Sequence, residues 1–368
     1  METLENETPP TKPQITLTEE QQQAVDLIST WFLSSPEQEF KLGGYAGTGK
    51  TTIIKVIRER LNARSLVMAF TGKACNVLRR KDIHASTIHS NIYDCYQDKE
   101  GWHFDLKTIL PAMPKLLIID EASMLSSDLY RDLKSFGAKL LFVGDPGQLE
   151  PVGDNPNLMA NPDYVLSKIH RQAEASPIIT LASSVRLGVG GALTHHCIGT
   201  EVSIKQKTTT PEEILSASQL ICAKNATRQG FNTLVRGYLN RPAKQLVPED
   251  KIIVLRNNLS FSVFNGMILF VASITNETAD YWRITAHPYS NLDVWKKPFQ
   301  TVMKKDEHIP RKFVYCDFAY AITCHKSQGS EWDNVIVYDE WMPPQVWDMK
   351  RWRYTAITRA AKQLTYLV

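Results

Sequence analysis

The stretch GYAGTGKTT opens at Gly44 and closes with Gly49, Lys50, Thr51 and Thr52. It fits the pattern G-x-x-x-x-G-K-[ST]. It also follows an apolar run and leads into an amphipathic one, as phosphate binding requires. Backbone N–H groups of Ala46, Gly47, Thr48 and Gly49 are then free to approach phosphate oxygens, and a helix start adds partial positive charge. Lys50 is expected to reach the β- and γ-phosphates and the Thr51 hydroxyl to ligate Mg²⁺. The chemistry implied is binding of a nucleoside triphosphate with its magnesium ion.

A phosphate loop needs a second partner for the ion at the end of a neighbouring strand. The stretch LLIIDEAS supplies four apolar residues followed by Asp120 and Glu121. Asp120 is placed to hold the ion through water, and Glu121 to polarise an attacking water. Taken alone, two acids after an apolar run are equally well explained as solvated charges at a strand end. The stretch LLFVGDPGQLEPVG repeats the arrangement with Gly144, Asp145 and then Gln148, which is placed for the γ-phosphate or its water. Gly-Asp-Pro-Gly by itself is a turn. It gains meaning by emerging at the same sheet edge as the other motifs, where ligands of open α/β sheets bind.

Positioning these groups takes strands alternating with helices. The sequence predicts strands at Phe40–Leu42, Ser65–Phe70, Lys115–Ile119 and Lys139–Val143. Helices are predicted at Thr18–Leu33, Lys50–Leu61, Lys73–Arg79 and Ser126–Phe136. Such alternation implies an α/β fold with a parallel sheet covered on both faces. The segment Ile92–Leu110 breaks the pattern. It reads as two aromatic strands about a turn at Asp98–Gly101, or as a surface loop. A second alternating region begins near Ser176, with strands at Gln219–Ala223, Asn334–Tyr338 and Gln363–Val368. Inside it, Asp250 to about Arg311 has the texture of a small all-β insert, with Asn265-Gly266 as a tight turn.

The 368 residues exceed what one core supports, so two or three domains are expected. A net charge of +3 argues against a histone-like polycation but leaves room for a local nucleic-acid surface. The six cysteines form no C-x-x-C pair, which favours reduced thiols over a zinc or iron–sulfur site. No run of 18 apolar residues and no basic-then-apolar start is present, so a cytoplasmic protein is expected, in a bacterial cell or a phage-infected host. Residues 1–14 are polar, acidic and Pro-containing, as in a disordered tail. Gly188–Lys207 is glycine-rich and polar and suggests no function.

The motifs as a set resemble those of superfamily 1 DNA helicases, specifically the RecD/Dda-like branch in its compact phage-type form. In chain order they are LTEEQ, GYAGTGKTT, FTGKA, STIHS, IIDEASM, VGDPGQLEP, IHRQ, AITCHKSQGSEW and YTAITRA, spanning about Ile15 to Val368. The resemblance implies two RecA-like domains, at 15–175 and 176–368. It also implies a β-hairpin pin at about 92–110 and an SH3-like β insert at about 250–311. ATP and Mg²⁺ are the implied cofactors. Gln21 is implied to hydrogen-bond adenine, with Gly329 and Glu331 beside the nucleotide. Arg171 and Arg359 are implied fingers on the γ-phosphate. Thr71, Gly72, Lys73, Thr87 and His89 are implied to touch single-stranded DNA on the first domain. Thr323, His325, Ser327 and Gln328 do so on the second.

Trp102 and Phe104 lie where the resemblance places the strand-separating pin, although Trp102 is equally suited to capping local apolar surface. His89 and His325 also suit structural roles, with DNA contact favoured for His89 by its neighbouring hydroxyls. The tryptophan-rich run Glu340–Tyr354 reads as core and domain-interface packing rather than a base-stacking platform.

The implied activity is ATP-dependent 5′-to-3′ translocation on single-stranded DNA with unwinding of duplex forks. The expected species is a monomer, with single-strand-binding and replication or recombination proteins as further partners. Two other readings stand beside it. One is a single-strand translocase that displaces proteins with little unwinding, and the other is a non-catalytic DNA-binding subunit of a repair or recombination complex.

Overall fold

A computed structural model describes residues 16–61, 64–97, 102–150, 154–169, 175–194, 196–300, 310, 312–343 and 348–368. The first helix, Glu19–Ser34, begins where LTEEQ predicts it. Thr18 caps it, and Gln21 completes a capping box by accepting from the Thr18 N–H. Its apolar stripe, Ala24, Val25 and Ile28, is fully buried against the first sheet.

That sheet has six parallel strands in the order Ala85–Thr87, Ser65–Ala69, Leu116–Asp120, Lys139–Gly144, Glu39–Gly44 and Tyr164–Leu166. The central strands are apolar runs with every interior residue buried, because helices cover both faces. In-register pairing of Gly43 with Gly144 and of Ala69 with Asp120 brings the phosphate loop, the Asp-Glu pair and the Gly-Asp turn to one sheet edge. The second sheet also has six strands, in the order Ala321–Thr323, Gln219–Cys222, Trp332–Tyr338, Ala360–Leu367, Val202–Lys205 and His196–Ile198. Only the last strand is antiparallel.

Trp332–Tyr338 starts two residues earlier than its apolar pattern predicts. The register slips between Trp332 and Asn334, so the alternation is broken at Asp333. Gly188–Lys207 has a structural account. Gly188 takes φ +73° to end the helix Pro177–Leu187, and the edge strand His196–Ile198 and its neighbour Val202–Lys205 follow.

Between the strands of the second sheet lie two three-stranded antiparallel sheets. One pairs Ile268–Phe270, Lys251–Val254 and Cys316–Phe318, which carries the β-rich segment to Phe318. The other pairs Ser273–Glu277, Tyr281–Ala286 and Tyr289–Trp295. They share a core around Trp282, Ile284 and Val294. Asp250 anchors this segment to the larger sheet. Its buried carboxylate accepts from Arg236, from Arg241 at 3.0 Å and from the Tyr320 hydroxyl at 2.7 Å.

In the first half, Tyr93–Gln97 and Trp102–Leu106 form a separate antiparallel pair, and the turn expected at Asp98–Gly101 lies outside the described residues. The strands hold Trp102 and Phe104, of whose side chains nothing is described. Among the described residues, no helix is long and apolar enough to cross a membrane. Cys75, Cys222, Cys316 and Cys324 are buried free thiols.

Candidate nucleotide and nucleic-acid site

The phosphate loop runs from strand Glu39–Gly44 into helix Lys50–Leu61. Gly47 and Gly49 take φ of +77° and +87°. At Gly49 any side chain would be strained by the positive φ, and a Cβ there would lie 2.3 Å from Gln21 Nε2, forcing that amide to shift. Gln21 is buried and donates from Nε2 to the Thr48 carbonyl at 3.1 Å. It therefore braces the loop from the first helix, a role its place in LTEEQ did not announce. The Lys50 ammonium donates to the carbonyls of Gly44 at 2.6 Å and Tyr45 at 3.1 Å, and lies 4.0 Å from Asp145. Thr51 and Thr52 open the helix and remain partly accessible.

Asp120 ends its strand beside Lys50. Burial, and then the neighbouring Glu121, hold its carboxyl well above the ordinary carboxylate range. A cation there reverses this preference. Glu121 sits in the left-handed region at φ +55°. This conformation costs a non-glycine residue about 1–3 kcal/mol and is typical of positions held for function. Gln148 is buried, and its Oε1 has no hydrogen-bond partner among the described residues. An acceptor in that condition fits a water or ligand donor at the phosphate end of the cleft.

Among the described residues, no group of three or more His, Cys, Asp or Glu side chains could hold a metal. The donor set that is present, one hydroxyl and one carboxylate at a phosphate loop, suits Mg²⁺, which keeps water and phosphate oxygens as its other ligands. Thr51 and Asp120 are the residues that fit it.

The second domain closes on this edge. The Tyr354 hydroxyl accepts from the Ala46 N–H at 2.7 Å and donates to Asp145 at 2.7 Å. Thr355 Oγ1 accepts from the Leu149 N–H at 2.8 Å, and Gln328 Nε2 donates to the Leu149 carbonyl at 2.6 Å. Arg186 lies over the Tyr45 ring, 3.6 Å from its centroid. Arg359 is buried among groups of its own domain, donating to the carbonyls of Thr355 at 3.0 Å and Ser330 at 3.1 Å and to Thr358 Oγ1 at 3.0 Å. Arg171 lies outside the described residues.

A cleft borders the same seam at Gln328. Phe70, Thr71, Gly72 and Lys73 line it from the first domain, His325, Lys326 and Gln328 from the second, and Asn265, Gly266 and Met267 from the β-rich segment. Thr71 caps its helix by accepting from the Ala74 N–H. A Cβ on Gly329, at φ +65°, would lie 3.1 Å from the Thr71 hydroxyl, so the two domains meet there backbone to side chain.

Lys73 does not point into open solvent. Its ammonium sits 3.7 Å from the centroid of the Trp332 ring, and burial, then Arg359 and Arg80, pull its pKa down to about 8. Burial, and then Lys326, lower the His325 pKa. The Ser327 hydroxyl is buried and donates to the Cys324 carbonyl, and Gln328 is buried in the seam. The Ser327 side chain is thus turned away from the cleft, whereas Gln328 borders it with its amide tied to the Leu149 carbonyl. Thr323 is partly buried, and Glu331 is exposed.

Thr87 caps the short helix Ile88–Ile92. His89 lies between Phe70, which it meets edge-on, and the tilted ring of Tyr93, with centroids 6.0 and 5.8 Å away, and burial lowers its pKa. This favours the structural role for His89. Tyr354, Trp332, Arg186 and Met267 were not singled out from sequence. Tyr354 opens YTAITRA, and Trp332 closes AITCHKSQGSEW, but an aromatic at a motif's edge looks like packing until its partner is seen.

Residues 16–197 match the family described as an AAA domain, and residues 318–367 match the UvrD-like helicase C-terminal domain. The ATP-dependent RecD2 DNA helicase of Deinococcus radiodurans is 27% identical over 95% of this chain and 49% of its own length. The ATP-dependent DNA helicase dda of Enterobacteria phage T4 is 30% identical over 47% of this chain and 43% of its own length. The chain thus carries an AAA domain followed by a UvrD-like helicase C-terminal domain, and it is similar to helicases of the RecD2 and Dda kind. A crystal structure of Bacteroides Pif1 bound to ssDNA has the same fold, with a TM-score of 0.56 at 20% identity, over 96% of this chain and 93% of that one. The chain spans about half the length, or less, of the curated relatives it matches.

Proposed function

We propose that this chain hydrolyses ATP, with Mg²⁺ held by Thr51 and Asp120, to move 5′-to-3′ along single-stranded DNA and to unwind duplex at a fork. The observation that carries the reading is one seam with two uses. At one end Ala46 and Asp145 of the phosphate edge meet Tyr354. At the other, Thr71 meets Gly329 beside the cleft. A change in how the domains close at the nucleotide is therefore a change at the cleft. We read the domains as 15–175 and 176–368, with the hairpin as the pin and the β-rich segment as the SH3-like insert. We place the protein in the cytoplasm as a monomer. Lys50, Arg171 and Arg359 are the cations assigned to the γ-phosphate, and phosphoryl transfer then depends on positioning and charge stabilisation. Gln21 also takes the adenine in this reading. The test is ATP hydrolysis measured without nucleic acid, with single-stranded DNA, and with RNA. A large rise with DNA is expected. No hydrolysis in any arm favours a non-catalytic DNA-binding subunit.

The single-strand translocase that unwinds poorly is favoured by one feature, the shortness of the hairpin, whose paired strands have five residues each. Unstacking one DNA step costs about 1.4 kcal/mol, and base–aromatic stacking is worth ~1–3 kcal/mol. One aromatic at the tip is thus comparable to one step. Trp102→Ala is expected to slow unwinding of a forked duplex more than translocation on single strands. Equal losses in both assays assign Trp102 to packing.

The loop AITCHKSQGSEW serves both ends of the seam in this reading. Glu331→Ala is expected to raise the KM for ATP, and His325→Ala to lower the stimulation of hydrolysis by DNA. If both variants behave as wild type, the loop is only a connection.

A further inference from the structure

The Tyr354 side chain is 1% exposed, and its single hydroxyl is shared between two motifs of the opposite domain. It accepts from Ala46 N–H inside the phosphate loop and donates to Asp145 Oδ2, each at 2.7 Å. Asp145 is equally buried, and its other oxygen accepts from the Gly147 N–H at 2.8 Å. The same carboxylate lies 4.0 Å from the Lys50 ammonium. The ring is held as tightly as the hydroxyl. It meets the Tyr45 ring edge-on, with centroids 6.5 Å apart at 88°. A Cβ on Gly147 would lie 3.0 Å from Tyr354 Cε1, so glycine makes room for the ring. Arg186 covers Tyr45 from the second domain at 3.6 Å. Tyr354 stands on the helix Met349–Ile357, whose end leads directly into Arg359.

We propose that Tyr354 is a positioning residue that links the phosphate loop to the second domain, its hydroxyl transmitting the loop's geometry to the helix that carries Arg359. The inference rests on the reading of this cleft as an ATPase site. Packing alone would need only the ring, and a phenylalanine supplies that. The hydroxyl adds a directional tie between a phosphate-loop amide, the carboxylate beside Lys50 and the second domain. A shift of the loop, or of Lys50 away from Asp145, changes the partners of that hydroxyl. Burial of both Tyr354 and Asp145 makes the tie expensive to leave half-made. It therefore favours one relative placement of the domains when the loop is in this conformation and a different one when the loop moves, which is the differential contact that coupling between two sites requires.

The test compares wild type and Tyr354→Phe as full chains, with a fluorescent oligothymidine as the single-strand probe, with and without Mg²⁺ and the non-hydrolysable analogue AMP-PNP. Wild type is expected to change its DNA affinity by about fivefold or more on adding the analogue. The phenylalanine variant is expected to hold its nucleotide-free DNA affinity while losing most of that change. Its DNA-stimulated kcat should fall about tenfold with little change in KM for ATP, the effect of one lost buried hydrogen bond. Asp145→Asn is expected to lower the linkage in the same way, and adding Tyr354→Phe to it should produce no further loss.

Wild-type linkage in Tyr354→Phe overturns the proposal. So does an equal fall in nucleotide-free DNA binding, thermal midpoint and linkage, which assigns the residue to packing. A wild-type chain that hydrolyses no ATP with single-stranded DNA overturns the underlying reading instead.

Discussion

Lys50→Ala is expected to abolish ATP hydrolysis, with or without DNA, while retaining part of the single-strand binding. The ammonium lies within the phosphate loop, where the Gly44 and Tyr45 carbonyls hold it, and Asp145 stands 4.0 Å away. It is thus a positive charge already placed where phosphates would enter, and its removal takes that charge away. Losing one preorganised donor to a developing charge costs about 10²–10³-fold in rate. Loss of ground-state binding adds to that, so the measured rate should fall to background. The cleft lined by Phe70, Thr71 and His325 does not include Lys50, which is why some DNA binding survives. Phosphate release measured at saturating single-stranded DNA checks the first half, and fluorescence anisotropy of a labelled oligonucleotide the second. Hydrolysis that persists in Lys50→Ala would mean that the phosphate site has been assigned to the wrong loop.

Arg359→Ala is expected to lower DNA-stimulated kcat by about 10³-fold or more, the range of an arginine finger, with a much smaller change in KM. In this structure its donors are directed to Thr355, Ser330 and Thr358, all in its own domain. The finger role therefore requires the guanidinium to exchange some of these partners for the γ-phosphate as the cleft closes. Ser330 adjoins Gly329, the point of contact with Thr71, so the exchange would be felt where the cleft begins. Arg359→Lys keeps the charge and loses the planar fork, and should not restore activity. The other outcome is a strut: if kcat is retained and only the thermal midpoint drops, the loss is that of hydrogen bonds to buried carbonyls, at about 1–3 kcal/mol each.

Much of this site was legible in the sequence because its parts are backbone parts. A loop that must pass close to phosphate needs glycine where φ is positive, as at Gly47 and Gly49, and a carboxylate at a sheet edge needs an apolar strand behind it, as Asp120 has. The helix beginning at Lys50 and the capping box at Thr18 follow from equally local rules. The seam was not legible, because it is made by residues some 200–300 positions apart whose types are ordinary. Tyr354 with Ala46 and Lys73 with Trp332 are such pairs. Gln328 and Ser327 show the converse. They are polar residues in a polar loop, which suggests a surface, and the fold turns both inward. His89 was weighed by its neighbouring hydroxyls, but the Phe70 and Tyr93 rings surround it in space.

Nucleotide closure at one end of the seam is expected to move one strand of DNA in one direction at the other. Unwinding of duplexes bearing a single-stranded tail at the 5′ end, at the 3′ end or at neither, with ATP and Mg²⁺ present, tests it most directly. The account predicts strand separation from the 5′-tailed duplex, little from the blunt one, and none from either in Lys50→Ala. Robust unwinding of the 3′-tailed duplex with none of the 5′-tailed would contradict it.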